Sequence, residues 1–188
     1  MDQHQVVLTL AIIAALVVGA ATAWLIFRKR QSRLLRERFG PEYDRVVKNE
    51  GSVRRGEGVL EFRAKRREQL HIRPLSPSNR ADFSSRWTAV QSQFVDDPKG
   101  AVSQADSLVN EVMQVRGYPV GDFDQRAADI SVDHPVVVEN YRAAHGIAVH
   151  HSRGQASTED LRKAMVHYRS LFEELLGETP AEKKEAIG

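Results

Sequence analysis

The chain has 188 residues and a net charge of only +2, enough length for one ordinary domain with its own core. It contains no cysteine, which excludes a disulfide framework, a thiol nucleophile and a cysteine-ligated metal. The charge is uneven: residues 28–73 hold 15 Lys+Arg against 7 Asp+Glu, a net of +8, whereas residues 74–188 hold 12 against 17, a net of −5. An acidic folded part speaks against nucleic acid as a partner.

Residues 1–5 form a short polar start, and residues 6–27 read VVLTLAIIAALVVGAATAWLIF, 22 positions without charge or proline. At roughly 1.5 Å per residue a helix of that length covers about 33 Å, the thickness of a bilayer core. A cleaved signal peptide would carry its positive charge before a shorter run. Here the charge follows it, so a retained transmembrane helix is expected. Arg28, Lys29, Arg30, Arg33, Arg36 and Arg38 come directly after the run. They are expected to meet lipid headgroups and to hold the rest of the chain in the cytoplasm, with the N-terminus outside. Ala11, Ala15, Gly19 and Ala23 recur every fourth residue, a ridge of small side chains that would let two such helices pack as a homodimer.

Residues 28–73 are expected to form a basic helical stalk. Leu35, Phe39, Tyr43 and Val46 make an apolar stripe, with Gly40-Pro41 as an interruption and Pro41 at the start of a new helix. The stripe suits either a lipid surface or a neighbouring helix. Residues 49–58 contain three glycines and predict the weakest helix, a candidate hinge. Residues 59–72 regain helix formers. Their run Arg63, Lys65, Arg66, Arg67 suggests an RNA or lipid patch, but almost no aromatics are interleaved, and a solvated helix face is the plainer reading.

Residues 74–176 predict a bundle of four to five helices, so the chain as a whole is expected to be all-α. Ser76-Pro77 and Asp97-Pro98 each pair an N-cap with a proline at the first helical position. The first of these helices, running to about Val95, turns Phe83, Trp87, Val90 and Phe94 to one side. The second, to Arg116, does so with Ala101, Val102, Ala105, Leu108, Val109, Val112 and Met113. Gly117-Tyr118-Pro119 stops it. A short helix follows from Asp122 to Ile130, then a turn over 131–134, then a helix from Pro135 to His151. Ser157 caps the last helix, with Asp160 in the capping-box position and Leu161, Ala164, Met165, Tyr168, Leu171, Phe172 and Leu175 inward. Gly177 ends it, and residues 177–188 are expected as a flexible tail.

No catalytic motif is present, which speaks against an enzyme, and no cofactor is expected. His145 and His150 are five apart, not at the three- or four-residue spacing of paired helical ligands, so His145 reads as a hydrogen-bonded core residue rather than a metal ligand. The most polar constellation is residues 122–135. Tyr118, Asp122, Gln125, Arg126, Asp129, Asp133 and His134 are the candidate surface for a protein partner, with Tyr118 as aromatic anchor. The favoured function is therefore a membrane-anchored interaction or scaffold module. The alternative is a sensor with a small molecule or ion held among Trp87, Tyr141 and His145.

The stretches ERFGPEYDR, RPLSPSNRADFSSRWTAVQSQFVDDPKGAV, RGYPVGDFDQRAADISVDHP and TEDLRKAMVHYRSLFEELL resemble a family of small bacterial single-pass membrane proteins of unknown function. The resemblance spans Glu37 to Leu176. It implies a bacterial cytoplasmic membrane and carries over no activity and no site residue.

Overall fold

The computed structural model describes residues 3–177, with side chains from Ile12 onward. The expected N-terminal segment (residues 1–5, in its side chains), the Ala11 end of the small-residue ridge and the tail beyond Gly177 lie outside the described residues. Every regular element among the described residues is an α-helix, and there are eight. The chain divides into two units, Met1–Arg38 and Phe39–Gly188.

Helix α1, Gln3–Phe39, makes up the first unit as far as Arg38. Within the helix, Ile12–Phe39 is long and apolar enough to cross a membrane. Its apolar side chains are exposed on all sides, from Ile26 at 52% to Leu16 at 68%. A helix in water would hide such a surface against a core. Ala15, Gly19 and Ala23 are exposed too, and Arg28 lies over the Trp24 ring at 5.1 Å. The six basic residues from Arg28 to Arg38 follow on the same continuous helix.

The second unit begins with a hairpin of α2 (Pro41–Glu50) and α3 (Val53–Glu68). The glycine-rich stretch is helical from Val53 onward. Ser52 caps α3 by accepting the Arg55 N–H. Gly56 lets the two helices touch: a Cβ there would stand 2.8 Å from the Val47 Cα. Phe39, Tyr43, Val46, Leu60 and Ala64 are buried, so this part of the apolar stripe packs on helix. The compact unit starts at Phe39, so residues 39–73 of the expected stalk fall within it.

The rest of the unit is α4 (Pro77–Gln93), α5 (Pro98–Arg116), α6 (Phe123–Asp133), α7 (Val138–Ser152) and α8 (Thr158–Leu176). Ser76, Asp97 and Ser157 cap as expected, Asp122 caps α6, and Ser157 with Asp160 completes a capping box. All seven expected inward residues of α5 and all seven of α8 are buried. On α4, Trp87 stacks on Phe172 with ring centres 4.5 Å apart. Gly117 ends α5 at φ +98, where a Cβ would meet the His71 carbonyl at 2.5 Å. The chain after α3 is pinned there too, with the Arg73 N–H donating to the Arg116 carbonyl at 2.9 Å.

Two boundaries differ from expectation. Helix α6 runs on to Asp133, and Pro135 lies in a turn rather than opening α7. The residue before a proline avoids helical geometry, so α6 closes at His134, whose N–H still reaches the Ile130 carbonyl at 2.8 Å. Helix α7 then begins three residues past the proline, at Val138.

Candidate functional site

The seven residues expected to face a partner cluster around α6, but most of their polar atoms are already engaged within the chain. Asp122 caps α6, accepting the Gln125 N–H at 2.8 Å. The Gln125 side chain donates to Asp129 at 3.0 Å. Arg126 Nε donates to the Tyr141 hydroxyl at 3.1 Å and its Nη1 to the Gly121 carbonyl. Asp129 is 1% exposed and pairs with Arg66 at 2.9 Å. Asp133 pairs with Arg67 and accepts the Tyr118 hydroxyl at 2.8 Å. His134 Nδ1 lies 2.9 Å from Glu174.

Tyr118, the residue expected as aromatic anchor, is turned into the protein. It is 2% exposed, and burial, then the charge of Asp133 beside it, pushes its phenol well above the usual tyrosine range. Asp129 is likewise out of a partner's reach. Asp122 and Asp133 touch solvent while serving as cap and ion-pair acceptor.

The basic run of α3 and the acidic face of α6 are each other's partners. The structure divides that run: Arg63, Arg66 and Arg67 turn toward α6, and only Lys65 is fully exposed. Next to this seam lies a residue that sequence reasoning passed over. Glu42 is 0% exposed. It accepts Arg63 at 2.7 Å and a two-pronged bond from Arg142 at 2.7 and 2.8 Å. Arg63 also donates to Ser131 at 3.2 Å, and Arg45 reaches Glu139 at 3.4 Å. Planar guanidinium groups match a carboxylate in this way, which orients as well as attracts. A signal for Glu42 was present: it occupies the apolar stripe three residues after Phe39 and four before Val46, where a carboxylate has to be paired.

The pocket expected at Trp87, Tyr141 and His145 is occupied by the protein's own side chains. Trp87 stacks on Phe172. The Tyr141 hydroxyl sits between Arg126 and Asn110, donating to the latter at 3.2 Å. His145 is half-buried and stacks on Phe123 at 3.7 Å, and burial lowers its pKa from the ordinary 6.5. Among the described residues no group of three or more His, Asp or Glu side chains is placed to hold a metal ion.

Open space lies elsewhere. A cavity of about 420 Å³ is lined by Arg116, His134, Val137, Ser170, Glu173, Glu174 and Gly177. A shallower hollow of about 180 Å³ lies between α4 and α8, lined by Gln91, Phe94, Arg162, Met165, Val166 and Arg169. Val166 there is 55% exposed, and Val95, next to Phe94 in the chain, is 82% exposed.

Comparison with protein-family models, curated proteins and solved structures gives no match. The resemblance to a bacterial membrane family gains no support from them.

Proposed function

We propose that the chain is a single-pass membrane protein whose helical body binds a protein partner on the cytoplasmic side. The observation that carries this reading is α1, with apolar side chains exposed around its whole circumference. Such a surface is stable in lipid and costly in water, at about 25 cal/mol per Å². The basic residues after the apolar run favour a cytoplasmic body. A reporter active only outside the cytoplasm, fused at the C-terminus, should stay silent; activity would overturn the orientation.

The α4–α8 hollow suits a partner better than the face of α6, because it presents apolar surface the chain leaves uncovered. An apolar side chain from a partner helix fits among Phe94, Met165 and Val166. Arg162 and Arg169 at the rim are already paired with Glu159 and Glu173, so what the hollow offers a partner is apolar surface. Crosslinking in native membranes tests this. A stoichiometric partner should be recovered with the wild type and lost with Val166→Glu. Arg126→Glu is a poor probe, since it breaks the bonds to Tyr141 and Gly121 that hold α6.

The cavity at His134 favours a second reading, a small-molecule sensor. Its volume falls in the usual ligand range of roughly 300–1,000 Å³. Its lining carries both signs of charge, Arg116 together with Glu173 and Glu174, which suits a small zwitterion. Recovery of the protein alone in the crosslinking experiment, together with a rise in its melting temperature on adding free amino acids, would favour this reading.

A further inference from the structure

The outward face of α3 is neither part of the seam nor part of the body's core. Arg55, Gly58, Phe62 and Lys65 follow at spacings of three, four and three residues, so they share one side of the helix. All four are exposed, as is Arg54 at the edge of the same face. Phe62 is 65% exposed. The face cannot turn inward, because Leu60 and Ala64 are buried and Arg63, Arg66 and Arg67 are tied to Glu42, Asp129 and Asp133. Acids do little to neutralise it: Glu57 is buried and accepts the Tyr43 hydroxyl, Glu61 is half-buried, and Glu68 alone is exposed.

We propose that this face docks on the anionic headgroup layer of a bilayer, with Phe62 entering the interface and Arg54, Arg55 and Lys65 on the phosphates. The inference rests on the reading that α1 lies in that membrane. Charge complementarity selects the occupant. Cations attract the anionic leaflet, and an aromatic ring among them is stable at headgroup depth, where its apolar body leaves water. A nucleic acid would require further rings to stack its bases, and α3 offers one exposed ring. Basic residues on α1 precede this face in the chain, so both segments would report the same leaflet.

The absence of cysteine makes a single-site probe straightforward. A polarity-sensitive dye is attached at Gly58→Cys in the full chain, where an added Cβ meets nothing within 4 Å. A second preparation carries it at Val18→Cys, inside the apolar run. Both are placed in bilayer discs of phosphatidylcholine with and without phosphatidylglycerol. The dye at position 58 should shift to the blue only with anionic lipid. The shift should disappear with Arg54→Gln/Arg55→Gln/Lys65→Gln, with Phe62→Ser, and in molar salt, where screening shortens to about 3 Å. A water-like signal at position 58 in both discs, with a lipid-like signal at position 18, overturns the docking and leaves the membrane reading intact. A water-like signal at position 18 overturns both. A shift that survives the triple substitution overturns the electrostatic attachment.

Discussion

The α4–α8 bundle and the α2–α3 hairpin belong to one compact unit, yet different forces hold them. The bundle closes over a continuous apolar cluster that includes Trp87, Val109, Met113, Tyr141, Tyr168 and Phe172 and contains no residue of α2 or α3. The hairpin buries its own small set, Phe39, Tyr43, Val46, Leu60 and Ala64. Across the seam run arginine–carboxylate bonds, from Arg142 to Glu42, Arg66 to Asp129 and Arg67 to Asp133, while Arg63 holds Glu42 within the hairpin and reaches Ser131 across the seam. Val132 is the buried apolar residue of α6 outside the bundle's cluster. Apolar burial is non-directional and strong. Buried ion pairs give up much of their attraction to desolvation and contribute mainly geometry. The bundle therefore sets the stability of the unit, while the seam sets where the hairpin sits and marks the part that opens first.

Phe172→Ala should produce the largest effect. It removes the ring stacked on Trp87 and leaves a cavity in the bundle, at a cost of roughly 3–5 kcal/mol. Denaturant titration of the full chain should show a lower midpoint, with hydrogen exchange rising in bundle and hairpin together, since the hairpin has nothing to dock on once α6 and α7 are lost. Faster exchange confined to α8 would break the claim that the bundle is the cooperative part.

Glu42→Ala comes next, at about 3 kcal/mol, because it removes the buried carboxylate shared by Arg45, Arg63 and Arg142. Arg63 and Arg142 keep side-chain exposures of 17% and 15%, so some of the loss is recovered by water. Here the exchange pattern decides. Protection should fall across α2 and α3 and persist in α5 and α8. Equal loss throughout would mean that the seam is as much the core of the unit as the bundle is. Gly56→Ala probes the hairpin from within. Alanine favours helix by about 1 kcal/mol, but its Cβ would meet the Val47 Cα at 2.8 Å. Overpacking of this kind costs about 1–3 kcal/mol. Net destabilisation with unchanged exchange in α5 would again separate hairpin from bundle.

What the sequence discloses follows the same division. Ser76-Pro77, Asp97-Pro98 and Ser157 with Asp160 are local devices, each written within four residues, and each opens a helix where expected. The stripes of α5 and α8 are equally plain, because a core-facing helix must repeat at 3.6 residues. Tertiary packing overrides the weak propensity at Gly56 and Gly58, and no window of sequence records that Val47 needs a glycine opposite it. The seam is hidden for a related reason. Arg66 and Asp129 are 63 positions apart, and each looks like a solvated charge on its own helix. The same surface chemistry reads as a partner site or as an internal joint until the two helices are placed together.

The smallest effect expected is the dependence on pH at His145. In the seam, charge is paired with charge; at this site in the bundle, the ring of Phe123 faces an imidazole. Burial lowers the His145 pKa below its ordinary 6.5, so the folded protein resists the proton that the unfolded chain accepts. Between the lowered value and about 6.5 the unfolded state binds more protons, and stability therefore rises with pH across that window. Acidification from neutral should lower the melting temperature, beginning as pH falls below about 6.5 and levelling off once the folded imidazole is itself protonated. The quantity to read is the difference between wild type and His145→Gln. If the two melting curves descend in parallel, His145 plays no part in the acid response. If the wild type descends more steeply, the bundle contains a site that excludes charge, in contrast to the seam, which is assembled from it.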